Sequence, residues 1–328
     1  PELSSPQPRL ALPSQPCYPA HDGADGRPPA FHTMFVNNTV GHARDYQKAG
    51  TVDANSNDEM ADEIISHYTE SYDESKRLTD GFGRLERART EELIARFLPK
   101  PSAVVLDVGG ATGIYSFFMA SLGHEVHLVD IVPKHIEQAR ARSEDAGQTT
   151  LASMRVGDAR ALGLPDGSTD VVLMHGPLYH LTEIGDREQA LREAWRVLRP
   201  GGFLLAFAIT RYAGAIYGIT KGLIYDADYM RMIRTEVQTG RRTNPPDGVN
   251  TLPNAEFHLP QDLRREIESA RFTCETVLGV LGPAWLVPEI DSAWCDQAKR
   301  ESMMAMARLL ENEPVLGPRI LAVGRKDN

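Results

Sequence analysis

The stretch that decides the fold is residues 104–130, VVLDVGGATGIYSFFMASLGHEVHLVD. An apolar run ends in Asp107 and leads directly into a turn that contains Gly109, Gly110 and Gly113. A helical segment follows, and a second apolar run ends in Asp130. This pattern is a strand, a tight turn, a helix and a second strand, with an acid at the end of each strand. It predicts the first half of a nucleotide-binding α/β unit.

Each part of this unit has a physical use. Glycines let the backbone take a positive φ and pass close to a ligand, and the helix that begins there directs unpaired N–H groups at the same place. Asp130 can accept both hydroxyl protons of a ribose, and its charge disfavours a 2′-phosphate such as that of NADP. Asp107 is expected to face the turn rather than the sugar.

The spacing of the glycines separates two classes of adenosine ligand. The dinucleotide pattern Gly-x-Gly-x-x-Gly is not supplied by Gly109, Gly110 and Gly113. Acid-x-Gly-x-x-x-Gly, starting at Asp107, resembles motif I of the class I S-adenosylmethionine-dependent methyltransferases. The usual form in that family has a further glycine where this chain has Ala111. A glycine turn in an ordinary parallel-sheet protein is the alternative for this motif taken alone.

Later segments extend the resemblance from about residue 84 to residue 328. They are Gly157-Asp158-Ala159, the run 170–174 that ends in His175-Gly176-Pro177-Leu178-Tyr179-His180-Leu181, and the phrase 191–202 that ends in Arg-Pro-Gly-Gly. The resemblance implies S-adenosylmethionine as cofactor, with the turn around its methionine part, Asp130 on the ribose and Asp158 on the adenine. The cofactor-binding residues it implies are Asp107, Gly109, Gly110, Ala111, Gly113, Asp130, Ile131, Gly157, Asp158, Ala159, His175, Arg89 and Tyr72.

The implied fold is α/β and Rossmann-like: a seven-stranded sheet, parallel with an antiparallel final strand, helices on both faces and a helical lid inserted after the fifth strand. The expected organisation has five parts. These are a Pro-rich, poorly ordered extension (1–55), N-terminal helices that cover the cofactor site (56–100), the cofactor-binding core (101–210), the substrate lid (211–260) and the C-terminal part of the sheet (261–328).

Composition narrows the class of partner. The 328 residues carry a net charge of −10, with acids and bases interspersed, so a nucleic-acid substrate is not expected. Cys17, Cys274 and Cys295 show neither a disulfide framework nor metal-ligand spacing, which suits a reducing cytosol. We expect no metal, no membrane span and a cytoplasmic location, while a monomer and a homodimer both stay open.

Two segments supply candidates for contact with the substrate. In residues 58–77, a predicted helix, Tyr68 and Tyr72 lie on the apolar face, and either reach a ligand or only pack. Arg89, on the next predicted helix (84–97), could face the cofactor's carboxylate or be solvated. The insertion is rich in tyrosine and arginine and suits a modest organic substrate with an apolar part. The substrate-binding candidates are Tyr68, Tyr179, Arg211, Tyr212 and Tyr217.

Methyl transfer from a sulfonium requires an aligned nucleophile and, where the nucleophile carries a proton, a base. His180, His175 and His258 are the candidate bases, because imidazole titrates near neutrality; each could also be structural. The loop after the fourth strand lacks the Pro-Pro-Tyr of enzymes that methylate exocyclic amines of nucleic-acid bases.

The sequence therefore predicts methyl transfer from S-adenosylmethionine to an oxygen, nitrogen or sulfur atom of a small molecule, with S-adenosylhomocysteine as product. The similarity of residues 176–181, 256–260 and 282–285 to a microbial small-molecule branch supports this class of substrate. A non-catalytic cofactor-binding regulator and an NAD-dependent oxidoreductase are the alternatives.

Overall fold

The computed structural model describes residues 56–99, 101–144, 149–243, 245 and 252–327. The predicted Pro-rich extension, residues 1–55, lies outside this part of the chain. The strands are β1 (Val104–Val108), β2 (Glu125–Asp130), β3 (Ser153–Val156), β4 (Thr169–His175), β5 (Leu198–Ile209), β6 (Arg241–Arg242), β7 (Ala255–Glu256), β8 (Thr273–Gly279) and β9 (Arg319–Arg325).

The helices surround a central sheet. They are α1 (Ser56–Ser66), α2 (Gly81–Phe97), α3 (Ile114–Ser121), α4 (Pro133–Glu144), α5 (Pro177–His180), α6 (Ile184–Val197), α7 (Ala213–Lys221), α8 (Ala227–Thr239), α9 (Pro260–Ser269), α10 (Ile290–Cys295) and α11 (Gln297–Leu309). A π-helical turn, His67–Ser71, follows α1 directly.

The sheet in the described residues has seven strands in the order β3-β2-β1-β4-β5-β9-β8. Strands β1 to β5 are parallel, whereas β9 runs antiparallel to both β5 and β8. The predicted α/β fold with one antiparallel final strand is confirmed. Because β9 is reversed, its first residue, Arg319, lies at the same edge as the carboxyl ends of the parallel strands, opposite Ile209.

Successive side chains along the strands point to opposite faces of the sheet, and both sets are apolar, so each face has its own hydrophobic core. Leu173, Leu205 and Leu321 lie on one face and belong to the core that also contains α2, α3 and α11 side chains. Their neighbours in sequence belong to the core under α6 and α9. A fully buried leucine contributes about 1.5–3 kcal/mol, so apolar strands buried on both faces hold the carboxyl edge rigidly in place.

The N-terminal helix differs from the prediction. A single helix over residues 58–77 was expected from the apolar spacing, but the structure has α1, the π-helical turn and a short 3₁₀ turn, Glu74–Lys76. The backbone is extended at Tyr72 (φ −135°, ψ 129°). Long-range contacts account for the break: Tyr68 bonds to His180, and Arg77 pairs with Glu86.

The insertion after β5 packs largely within itself. Tyr229, Met232 and Ile233 of α8 form a small core of their own, and the buried Arg242 Nε donates to Glu236 Oε1 at 2.5 Å. At the base of the insertion, Arg211 is paired with Asp262 of α9. Across the described residues, no helix is long and apolar enough to cross a membrane.

Candidate functional site

A cavity of about 910 Å³, measured to its open mouth, lies at the carboxyl edge of the sheet. It is lined by Ile64, Tyr68, Glu74, Arg77, Leu78, Val108, Gly109, Gly110, Ala111, Thr112, Ile114, Tyr115, Asp130, Ile131, Val132, His135, Gly157, Asp158, Ala159, His175, Gly176, Pro177, Tyr179, His180 and Leu181.

The glycine turn forms one wall of the cavity. Gly109 has a φ of 72°, and a Cβ there would lie 2.7 Å from Pro177 Cδ. A Cβ on Gly110 would lie 2.5 Å from Asp107 Oδ2 and from Leu128 Cδ1. Ala111 also has a positive φ, 49°, which costs a residue with a side chain about 1 kcal/mol. The turn is therefore held in a conformation that glycine favours, with its backbone exposed to the cavity.

Asp130 is fixed at the end of β2 by the backbone around it. Its Oδ2 accepts a hydrogen bond from Ala111 N at 2.8 Å, and Oδ1 accepts from Val132 N at 2.9 Å. His135 Nδ1 lies 3.1 Å from the same Oδ1. The carboxylate is thus oriented toward the turn and lines the cavity, where its remaining lone pairs can accept ligand hydroxyls.

Asp158 is held in place by an arginine two residues later. Arg160 Nη2 donates to Asp158 Oδ2 at 2.6 Å, and its Nε lies 3.1 Å from each carboxylate oxygen. Arg160 Nη1 also reaches Asp186 Oδ2 at 3.2 Å. The hydrogen bonds from Arg160 lower the pKa of Asp158 although partial burial raises it, so the carboxylate is ionised at neutral pH.

Two candidate bases, His175 and His180, line the cavity. Burial lowers the pKa of each imidazole to about 3, so both rings are neutral near pH 7. The Tyr68 hydroxyl lies 3.0 Å from His180 Nε2 and joins the π-helical turn to α5. Tyr179, the residue before His180, also lines the cavity.

The cover of the cavity comes from the segment around the π-helical turn. Ile64, Tyr68 and Leu78 supply apolar surface, and Glu74 and Arg77 supply charge. Arg77 Nε donates to Glu74 Oε1 and its Nη1 donates to Glu86 Oε1, each at 2.5 Å. Sequence reasoning missed Arg77 because its spacing from Glu74 also fits a solvated helical ion pair.

Several predicted site residues are elsewhere. Arg89 does not reach the cavity: its guanidinium bonds to Glu92, Glu311 and the Val280 carbonyl. The buried His258 has its Nε2 3.2 Å from Glu266 Oε2, which holds it in the network at the base of the insertion. The remaining residues that do not line the cavity are Tyr72, Asp107, Gly113, Arg211, Tyr212 and Tyr217.

These predicted residues fail to line the cavity for different physical reasons. Asp107 lies beneath the turn, where Ser116 Oγ donates to its Oδ2 at 2.5 Å, so it supports Gly110 from behind. The Arg211 guanidinium is occupied by Asp262, Tyr212 is exposed, and Tyr217 packs against the core. No described residue between 211 and 260 lines the cavity, which contradicts the expected contacts from the insertion.

The comparisons with known proteins agree on one fold and one domain. Residues 106–206 match the family described as "Methyltransferase domain". The "Ubiquinone/menaquinone biosynthesis C-methyltransferase UbiE" of Zymomonas mobilis is 31% identical over 134 residues, 40% of this chain and 54% of that protein. The corresponding protein of Acidiphilium cryptum is 34% identical over 134 residues, 40% and 53% of the two chains. The chain thus spans about half the length of these relatives.

A solved structure described as a SAM-dependent methyltransferase from Methanosarcina mazei aligns with a TM-score of 0.51 and 19% identity, over 72% of this chain and 97% of that one. At this identity the likeness concerns the fold. Fold, glycine turn and the acids at the strand ends together define a nucleotide-binding α/β domain. Residues 106–206 therefore match a methyltransferase domain, and this family together with the structural neighbours implies S-adenosylmethionine as the cofactor.

The residues present fit this cofactor. Gly110 has no room for a Cβ, which would lie 2.5 Å from Asp107 Oδ2 and Leu128 Cδ1, so glycine lets the turn pack closely on the protein beneath it while it lines the cavity. Asp130 supplies the carboxylate that a ribose requires. Among the described residues no group of three or more His, Cys, Asp or Glu could hold a metal ion.

Proposed function

We propose that the protein transfers the methyl group of S-adenosylmethionine to a small organic molecule. The observation that carries the proposal is the continuity of the cavity, which joins Asp130 and Asp158 at one end to His175 and Tyr179 at the other. One end suits the adenosine, and the other leaves room for an acceptor. The curated relatives are described as C-methyltransferases, so carbon joins oxygen, nitrogen and sulfur as an acceptor atom.

The cofactor would be held by residues at the ends of three strands, β1, β2 and β3, and by an arginine from the segment before α2. In this proposal Asp130 accepts the ribose hydroxyls, Asp158 accepts from the adenine amino group, and the backbone of Gly109 and Gly110 faces the methionine part. Arg77 takes the role first assigned to Arg89: it lines the cavity, and its hydrogen bonds to Glu74 and Glu86 are made by Nε and Nη1, which leaves Nη2 for a ligand in this proposal. A guanidinium fork suits the methionine carboxylate.

The protein's own contribution to the reaction is orientation. The bound cofactor supplies an activated methyl group, and a nucleophile held in line with it gains about 7–11 kcal/mol of barrier reduction from alignment alone. Tyr68, Leu78 and Tyr179 line the cavity and are all buried, so they limit the access of water to the reacting atoms. The hydrogen bond between Tyr68 and His180 fixes this cover over the site.

The low pKa values of the histidines predict the pH dependence of the rate. An imidazole with a pKa of about 3 stays neutral across about pH 5 to 8, so kcat should show no inflection near 6.5, the ordinary histidine value. The measurement is a pH profile of kcat for the wild type and for His180→Asn. An inflection near 6.5 that disappears in His180→Asn would restore His180 as a general base.

Arg160 should affect recognition of the adenine through Asp158. Removing its hydrogen bonds in Arg160→Ala frees the Asp158 carboxylate to rotate, and we expect S-adenosylhomocysteine to bind about tenfold more weakly. Binding of S-inosylhomocysteine, which lacks the amino group, should change little. The control is Arg192→Ala, since Arg192 is exposed on α6 and bonds to Glu188 and Gln189. Equal losses for both ligands would indicate a general structural effect instead.

Calorimetric titration with S-adenosylhomocysteine and with NADH tests the cofactor and the oxidoreductase alternative together. Micromolar binding of S-adenosylhomocysteine without binding of NADH is expected. The reverse preference would contradict the proposal. Tight cofactor binding without transfer to any small molecule would favour a regulatory protein. The acidic net charge of −10 supports a small-molecule acceptor over a nucleic acid.

A further inference from the structure

A buried cluster of charged and polar side chains lies against the wall of the cavity, on the face of the sheet that carries α2 and α3. Its charged members are Arg77, Glu86 and Arg319. Arg319 Nε lies 3.4 Å from Glu86 Oε1, the atom that also accepts from Arg77 at 2.5 Å. The three residues come from the segment before α2, from α2 itself and from the first position of β9, so only the fold brings them together.

The two arginines are not equally paired. Arg77 has two carboxylates, Glu74 and Glu86, each at 2.5 Å. Glu86, at the longer distance, is the one carboxylate that Arg319 contacts among the described residues; its guanidinium also lies against the Tyr179 side chain, and the Arg319 side chain is 12% exposed. In the described residues its Nη1 is buried and has no hydrogen-bond partner. An unpaired buried donor costs about 1–3 kcal/mol, so this guanidinium retains the capacity to bind an acceptor.

Two further unpaired polar atoms lie beside it. His175 Nε2 and the Tyr115 hydroxyl are buried and have no partner within the described part of the chain. Both residues line the cavity, and their ring centroids are 5.4 Å apart. The charges of Arg319 and Arg77 both act on the His175 imidazole, and Glu86 opposes them. The cluster therefore offers donors, including one donor-only cation.

The sheet places this cluster beside the reacting end of the cavity. His175 pairs with Phe207 across β4 and β5, and Arg319 pairs with Ile209 two residues further along β5. Phe207 and Ile209 are two residues apart on β5, so their side chains lie on the same face of the sheet, and so do those of their partners. His175 and Arg319 therefore share one face at the carboxyl edge. His175 and Tyr179 line the cavity, and the Tyr179 ring centroid is 5.1 Å from Arg319 Cζ, so Arg319 lies next to the cavity wall.

We propose that His175, Tyr115 and Arg319 form a subsite for an ionised oxygen group of the methyl acceptor, a carboxylate or an acidic hydroxyl. This inference rests on the proposed function and narrows its substrate to acidic organic molecules. An anion is preferred because Arg319 donates but cannot accept, and because its one carboxylate neighbour is already bonded to Arg77. Arg319 is not among the residues that line the cavity, so in this proposal the neighbouring Tyr179 ring has to move aside for the anion to reach Nη1.

The test uses three aromatic probes of similar size and different charge: benzoate, benzamide and benzylamine. Each is titrated into protein saturated with S-adenosylhomocysteine, and binding is measured by saturation-transfer NMR. We expect benzoate to bind at least about tenfold more tightly than the other two, as a charge-assisted hydrogen bond allows. Arg319→Gln should abolish this preference without changing the affinity for S-adenosylhomocysteine.

Two further variants make the test independent of how well Arg319→Gln folds. Arg325→Gln is the matched control, because Arg325 lies on the same strand but is exposed and pairs with Glu275; it should retain the preference for benzoate. Glu86→Gln removes the competing carboxylate and should tighten benzoate binding.

Three results would overturn the subsite: a preference for benzamide or benzylamine, no detectable benzoate binding, or a preference that survives in Arg319→Gln. Weaker benzoate binding in Glu86→Gln counts against it as well. Failure of the wild type to bind S-adenosylhomocysteine is a separate outcome, which would remove the proposed function itself.

Discussion

Asp130→Ala should weaken S-adenosylhomocysteine binding by at least about tenfold and up to several hundredfold. A hydrogen bond to a charged group contributes about 1.5–3 kcal/mol, and a ribose offers two hydroxyls to this carboxylate. The substitution also removes the acceptor of Ala111 N and Val132 N, so the glycine turn loses its support. Calorimetric titration of the two proteins gives the ratio of dissociation constants directly.

The ribose contact can be separated from the support of the turn by a double-mutant cycle with 2′-deoxy-S-adenosylhomocysteine. Loss of the 2′-hydroxyl should cost affinity in the wild type and almost none in Asp130→Ala. Asp166→Ala serves as the control, because Asp166 is exposed and pairs with Arg196. Equal effects of the deoxy ligand in wild type and Asp130→Ala would show that Asp130 only shapes the turn.

Asp107 should make the ligand-free protein less stable as the pH rises from about 4 to about 7. Burial, together with the charge of Asp130, raises the pKa of this carboxyl from its ordinary 3.8 to about 7, although the hydrogen bond from Ser116 opposes the change. Between these values the folded state holds a proton that the unfolded state has released, so the free energy of unfolding falls with pH. At about 1.4 kcal/mol per pKa unit, the full loss is about 4 kcal/mol above pH 7.

Asp107→Asn should remove this dependence. The difference between the melting temperatures of Asp107→Asn and the wild type should grow by several degrees in favour of the variant from pH 4 to pH 8, because the amide cannot ionise. Any effect of the substitution on stability that does not depend on pH is the same at both pH values and drops out of this comparison. Asp166→Asn, at an exposed carboxylate, should show no such change. If the free energy of unfolding of the wild type changes between pH 4 and pH 8 in the same way as that of Asp107→Asn, Asp107 is already ionised in the folded protein and the prediction is wrong.

Local spacing was sufficient to place part of the cavity wall. The turn from Gly109 to Ala111 and Asp158 each follow a strand within two or three residues, Asp130 ends another strand, and parallel strands bring their carboxyl ends to one edge. Those residues line the cavity. The seven-stranded sheet with an antiparallel final strand was implied by the family resemblance that these motifs carry, and it is confirmed.

Residues that converge from distant segments could not be predicted in this way. Arg77, Glu86 and Arg319 meet through the packing of α2 and β9, and no sequence spacing separates Arg77 from Arg89 as the arginine that reaches the cavity. The tyrosines of the insertion suggested a lid by composition alone, but Tyr217 packs on the core and Tyr212 is exposed. Side-chain direction in such segments is set by tertiary contacts, which composition does not encode.

The most direct test of the central claim is methyl transfer itself. The purified protein is incubated with S-adenosylmethionine labelled in its methyl group and with an extract of the source cells, and the products are separated into small-molecule and macromolecular fractions. We expect label in an acidic small molecule, and much less label when Asp130→Ala replaces the wild type. Label on protein or nucleic acid, or no transfer by a protein that binds the cofactor tightly, would contradict it.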